Sequence, residues 1–388
     1  MANPTKTISR FDFSEEEIEA NKYIYDEYFD PQYLENLVDQ AIQPIADYWF
    51  RVRFIGFESV PKRANPKYPL IFATNHSGMA FPWDAIIFNA KYSQKFNYGK
   101  NILRSLSAPM LLAYRYMNPF FIENVWKKVG CMDATYKNFD TVMRFPDYNI
   151  LLYPEVVAGI AKGFKNKYKI QTIRASMVRI AIKYKTDIIT FSTVNAEYNN
   201  PYTLRWKKLN FLVNKIGIPF LPVGIMTLVA VLQPYFFYFA FPAKMTYVRG
   251  KRIKPYEMID KPYEEISHGE FKKIARKIQA IMQEQLTEAV EEYGEKPYQF
   301  GEFFKVGLQK LKHIHKFYFP LWAANAHEFD WQYNRKKKGE VFKYKSNIFR
   351  IASIFLKKPM LLALYIPILG WIPLIYKTLT DVSKLKKK

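Results

Sequence analysis

The stretch Ile-Phe-Ala-Thr-Asn-His-Ser-Gly-Met-Ala-Phe-Pro-Trp-Asp, from Ile71 to Asp84, constrains this chain more than any other. Residues 68–74 form an apolar run of strand length, closed by the turn-prone cluster Asn75-His76-Ser77-Gly78. Pro82 suits a helix start, Asp84 falls in the first turn, and Ala85-Ile86-Ile87-Phe88 follow. The order puts a histidine at a strand tip and a carboxylate close by at a helix N-terminus. A histidine held by a carboxylate is a base near neutral pH that can pull a proton off a hydroxyl.

The remaining pattern predicts alternating strands and helices. Strands are expected at 51–56, 148–153, 187–194 and 243–248, and helices at 33–48, 105–116, 170–185 and 271–290. Phe271, Ile274, Ile278, Ile281, Met282, Leu286 and Val290 form the clearest amphipathic face. Alternation of this kind predicts an α/β domain with a mixed sheet flanked by helices.

Three ordered blocks resemble the PlsC-like glycerolipid acyltransferases. Asn75-His76-Ser77-Gly78 with Pro82-x-Asp84 is similar to a long-spaced form of the first motif, which usually reads His-x4-Asp; Phe81 holds the usual Asp position. Pro119-Phe120-Phe121 and Val129 to Ala134 resemble the second block, and Leu151-Leu152-Tyr153-Pro154-Glu155 the Phe-Pro-Glu-Gly block. The resemblance covers roughly residues 45–295. It implies a PlsC-like acyltransferase domain in which His76 activates an acceptor hydroxyl and Asp84 orients and charges the ring. Asn75, Ser77 and Gly78 shape the turn around the substrate, and Glu155 helps to bind the acceptor. The donor is acyl-coenzyme A or an acyl carrier protein, with no bound cofactor or metal.

The chain departs from the family pattern at three places. Val156 stands where a glycine is usual, and Ala134, Val157 and Ala158 stand where the family carries arginines for an acceptor phosphate. Their absence argues against a phosphorylated acceptor and opens the way to a neutral glycerolipid or alcohol; alternatively Lys137 or Lys162 substitutes as a point charge. Lys162, Lys165, Lys167 and Lys169 form a basic run readable either as a phosphate landing site or as a solvated face. The departures also keep two rivals open: a degenerate fold that only docks on a membrane or partner, and an acyl-thioester hydrolase.

Charge and hydropathy point to a membrane surface. Lys and Arg number 58 against 35 Asp and Glu, a net charge of +23. Residues 1–50 hold 11 acidic and 3 basic residues, so the excess lies in the rest. Such a body attracts polyanions, and no nucleic-acid motif is present. Residues 216–242 carry no charge but hold four prolines, which fits a re-entrant or interfacial segment better than one span. Residues 359–376 are a second apolar segment, flanked by Lys357, Lys358 and Lys377. Membrane lipids are thus expected partners, with the site facing the cytoplasm. Cys131 is the only cysteine, so no intrachain disulfide forms. The N-terminus lacks the apolar core of a signal peptide. The domain plan is an acidic arm and helix (1–44), an acyltransferase domain (45–295) and a basic extension (296–388).

Overall fold

The computed structural model describes residues 13–78, 81–113, 117–206, 208, 211, 223–337 and 339–376. Seven strands make one sheet: β1 (Arg53–Ile55), β2 (Ile71–Thr74), β3 (Leu103–Ser107), β4 (Met132–Asp133), β5 (Asn149–Leu152), β6 (Ile188–Val194) and β7 (Thr246–Ile253). Their order is β1-β7-β6-β2-β5-β3-β4. Strands β2 to β6 run parallel, whereas β7 pairs antiparallel with β6 and carries β1 with it. The expected α/β class with a mixed sheet is the observed one.

The helices used below are α1 (Glu15–Ala20), α2 (Pro31–Leu37), α3 (Trp83–Lys95), α4 (Tyr136–Val142), α5 (Val157–Ile160), α6 (Ala175–Lys183), α7 (Ile225–Leu232), α8 (His268–Tyr293), α9 (Phe300–Gln309), α10 (Trp322–Tyr333) and α11 (Ile348–Lys357). The period of two along the strands assigns the layers. Phe72, Leu151, Ile189 and Phe191 face one core, which α3 covers through Ile87 and Phe88. Ile71, Ala73, Ile150, Leu152 and Ile188 face the other, under α6 and α8. Parallel strands buried on both faces read as continuous apolar runs, which is why β2, β5 and β6 were visible in the sequence.

Helix α3, which follows β2, and α6, which precedes β6, lie on opposite faces of the sheet. The chain also leaves β2 towards β3 and returns from β5 past β2 to β6. The carboxyl ends of β2 and β5 are therefore at a topological switch point, where open α/β sheets bind their ligands.

Several expectations need correction. Residues 105–116 are not one helix: 103–107 pair with β5 and β4, and among the described residues of that range the helix is Pro109–Ala113, because Pro109 disfavours helix at Ala108. The helix expected at 33–48 is α2 followed by two π-helical turns, Val38–Ile42 and Ile45–Trp49. The acidic arm, over its described part, is packed rather than loose. Tyr25, Phe29 and Tyr148 enclose the buried Arg104 guanidinium, with ring centroids at 4.6, 4.1 and 5.8 Å. Among the described residues no helix is long and apolar enough to cross a membrane. The described part of 216–242 is the short α7 and a 3-10 turn, Pro234–Tyr238, and 359–376 begins as a 3-10 turn, Pro359–Tyr365. Lys377 and the closing lysines fall outside the described residues.

The basic extension is part of the main core. Trp322, Ala323 and Ala324 of α10 and Ile351 and Ile354 of α11 join the α3 layer, where Trp322 packs on Trp49 at 5.3 Å and on Trp83 at 5.0 Å. Replacing Trp322 by alanine is expected to cost about 3–5 kcal/mol. The loss should appear as a shift of one cooperative urea transition followed by fluorescence and circular dichroism. Two separate transitions would instead mark an independent C-terminal unit.

Candidate active site

The turn after β2 is fixed by side chains that imitate the backbone. Asn75 is buried, and its amide donates to the Thr193 carbonyl (3.1 Å) and accepts from the Thr193 N–H (2.8 Å). The pair extends the β2–β6 ladder by one side chain. Asn75 therefore shapes the turn, as expected, with both its amide oxygen and its amide nitrogen bonded to Thr193. Gly78 closes the turn at φ +91°, a conformation that favours glycine.

The peptide groups of His76 are held from the β5 side. Its N–H donates to Glu155 Oε1 (2.7 Å), and its carbonyl accepts from Lys162 Nζ (2.6 Å). Glu155 is buried, and its Oε2 takes the N–H of Gln171, so both oxygens are occupied. Burial pushes the Glu155 pKa up, against the opposing pull of Lys162 and the two N–H groups. Glu155 is thus a strut for the His76 loop rather than an open acceptor ligand.

Lys162 is not on a solvated face and is not a landing site for phosphates. Its side chain is buried, and Nζ also donates to Glu197 Oε1 at 3.0 Å. Glu197 takes the N–H of Tyr168 on the same oxygen. The expectation failed because alternation of lysines says nothing about which one the chain turns inward. Lys165 is exposed on a 3-10 turn, as a surface lysine should be. Lys137 lies on α4 beyond β4, three strands from β2, or roughly 14 Å away by strand spacing. The structure does not bring it to the loop.

The His76 imidazole stacks on Tyr153 with centroids at 4.5 Å and keeps partial access to solvent. Burial, then the Lys162 charge, push its pKa down to about 3. The ring is therefore neutral at pH 7, the form that accepts a proton. Among the described residues its nitrogens have no hydrogen-bond partner. The Asp84 carboxylate is buried and accepts from the Ser77 hydroxyl at 2.8 Å rather than from His76. Burial raises its pKa to about 6, against the hydrogen bonds from Ser77 and the Ala85 N–H. His76 and Asp84 thus both adjoin one turn, Asp84 through Ser77, but they do not form the expected direct pair.

Three contributors were not among the expected site residues: Gly159, Glu197 and Tyr153. A methyl group at Gly159 would sit 2.6 Å from Glu155 Cβ and 2.7 Å from His76 Cβ, so only glycine lets α5 approach the loop. Val156 adopts φ +52° and ψ −137°. A β-branched residue there is strained. The Gly159 signal was present as a glycine four residues after Glu155; Glu197 and Tyr153 carried none.

No family model matches the chain, and no solved structure matches it. Curated relatives include uncharacterized proteins of Mycobacterium tuberculosis and Mycobacterium bovis, each 24% identical over 203 residues, which is 52% of this chain and 52% of theirs. The chain spans about half the length of the curated relatives it matches.

Asp84→Asn retains an acceptor for Ser77 and removes the charge. A carboxyl whose folded pKa is raised stabilises the fold below its unfolded value near 3.8 and loses that contribution as pH rises through about 6. D84N should therefore be more stable than wild type above that range, by on the order of 3 kcal/mol, and equal to it in acid. Urea titrations on either side of the window check this. Gly159→Ala should cost about 1–3 kcal/mol by overpacking, and Val156→Gly should leave the melting temperature unchanged or higher.

Proposed function

We propose that this chain is a membrane-associated O-acyltransferase of the PlsC-like class, moving a fatty acyl group from a thioester to the hydroxyl of a neutral glycerolipid or long-chain alcohol. The observation that carries the reading is the His76 ring: a neutral imidazole without a partner among the described residues, on a rigid loop at the switch point of the sheet. The first and third motif blocks support it as well, since hydrogen bonds join the His76-Ser77 turn to Glu155 and to Asp84.

In the proposed reaction His76 takes the hydroxyl proton as the acceptor oxygen attacks the thioester carbonyl. The tetrahedral intermediate collapses, the C–S bond breaks, and the imidazolium returns the proton to the departing thiolate. The low pKa of His76 makes the resting base weak, so the imidazolium must be favoured during turnover. Asp84, ionised above about pH 6 and tied to the loop through Ser77, supplies nearby negative charge. The N–H of His76 is committed to Glu155 and takes no part in holding the oxyanion. Lys162 is committed to His76 and Glu197, which removes it as a stand-in for the missing arginines and favours a neutral acceptor.

The test is transfer of labelled acyl groups from acyl-coenzyme A or an acyl carrier protein to lysophosphatidate, mono- and diacylglycerol and a fatty alcohol. An O-acyl product is expected with a neutral acceptor, and His76→Ala should lower its rate by about 10²–10⁴ while the circular dichroism spectrum is retained. Thioester loss without an O-acyl product would identify the hydrolase instead. No turnover with any donor would leave a docking protein on an acyltransferase-like fold.

A further inference from the structure

The face built by α7 and the chain's last described turns is apolar, continuous and open. On α7, Ile225, Leu228 and Leu232 are 67%, 68% and 56% exposed; across from them Ile368, Leu369 and Ile372 are 59%, 64% and 64% exposed. The two segments are bonded to each other. The Ile368 N–H donates to the Leu232 carbonyl at 2.7 Å, and the Trp371 indole donates to the Ala230 and Val231 carbonyls at 3.1 and 3.0 Å. Segments up to 141 residues apart in the chain are thus locked edge to edge, with the six aliphatic side chains outward. A folded protein normally turns such side chains in, and a contiguous open patch marks an interaction surface.

Charge around the patch selects the partner. No charged residue occurs at 223–242 or at 359–376, whereas 335–350, which leads into the second of them, holds seven Lys or Arg and one Glu. An apolar plate joined to a basic segment matches an anionic bilayer, with apolar side chains in the acyl region and cationic side chains at the headgroups. Pairing with a second copy would set two such segments and two +23 chains against each other.

The plate also connects to the His76 loop. Phe81, three residues before Asp84, packs on Phe237 at 6.2 Å, and Phe237 packs on Trp371 at 6.4 Å. From the other side of the loop, Gly163 follows Lys162 and lies against Arg205, next to the bridge between Leu204 and Val223 that precedes α7.

We infer that α7 and residues 366–376 form one membrane-docking plate that seats the protein on an anionic lipid surface with the His76 loop beside it. This deepens the membrane-associated part of the proposed function and rests on that reading, but its evidence is independent of acyl transfer.

Vesicle flotation tests it without any substrate. The whole chain should float with phosphatidylcholine vesicles containing phosphatidylglycerol, less with phosphatidylcholine alone, and less as salt is raised. Leu228→Asp with Ile372→Asp alters two exposed positions outside the site and should reduce the partition coefficient about a hundredfold, with the thermal melt unchanged. Acyl transfer to a soluble short-chain alcohol should survive in that variant, which separates loss of docking from loss of chemistry. Wild-type protein that stays unbound with both vesicle types, or a double variant that floats like wild type, overturns the inference. So does a wild-type dimer in sedimentation that the double variant abolishes, because the face would then be a subunit contact.

Discussion

Everything around the candidate site depends on the capture of one residue's backbone between two buried charges. The N–H and carbonyl of His76 go to Glu155 and Lys162, both from the segment that follows β5. Burying a charge is costly unless it is paired and hydrogen-bonded. Here Glu155 collects two backbone donors, and Lys162 collects a carbonyl and the Glu197 carboxylate. The two charges therefore lose less by burial than isolated ions would, and the loop becomes rigid as a result. The imidazole gains a fixed position without using either of its nitrogens.

The arrangement needs a close approach of three chain segments, and the local sequence accommodates it unevenly. Gly159 leaves room between the loop and α5, while Val156 accepts a backbone conformation that a glycine would adopt freely. Strain of this kind persists where surrounding contacts over-determine the backbone. Tyr153 then closes the base of the site by stacking on the ring that the two charges have positioned.

The central strands and their two-sided burial were legible because β2, β5 and β6 are short apolar runs bounded by turn residues. The strand–turn–helix unit at 71–84 was legible for the same reason, and the position of Glu155 after a strand followed from it. Short-range patterns did not show β4, which is two residues long and exists only because β3 lies next to it. Nor did they show the inward turn of Lys162, since that depends on Glu197, 35 residues away. The direct link expected between His76 and Asp84 is replaced by Ser77, because spacing along a turn does not fix which neighbour a carboxylate meets. Burial of α10 and α11 was hidden by their basic flanks: Lys357 and Lys358 answer Glu328 and Asp330 inside the fold.

The Asn75 amide has a consequence for the order of assembly. It reads both polar groups of Thr193 at once, so it fits only when β2 and β6 are aligned as Thr74 opposite Phe191. A slip of one residue between these strands would present the opposite pleat and unmake both bonds together. The His76 loop can therefore close only on a correctly aligned sheet. Its geometry acts as a proofreader of strand alignment: a misaligned chain lacks the folded loop as well as the proper core.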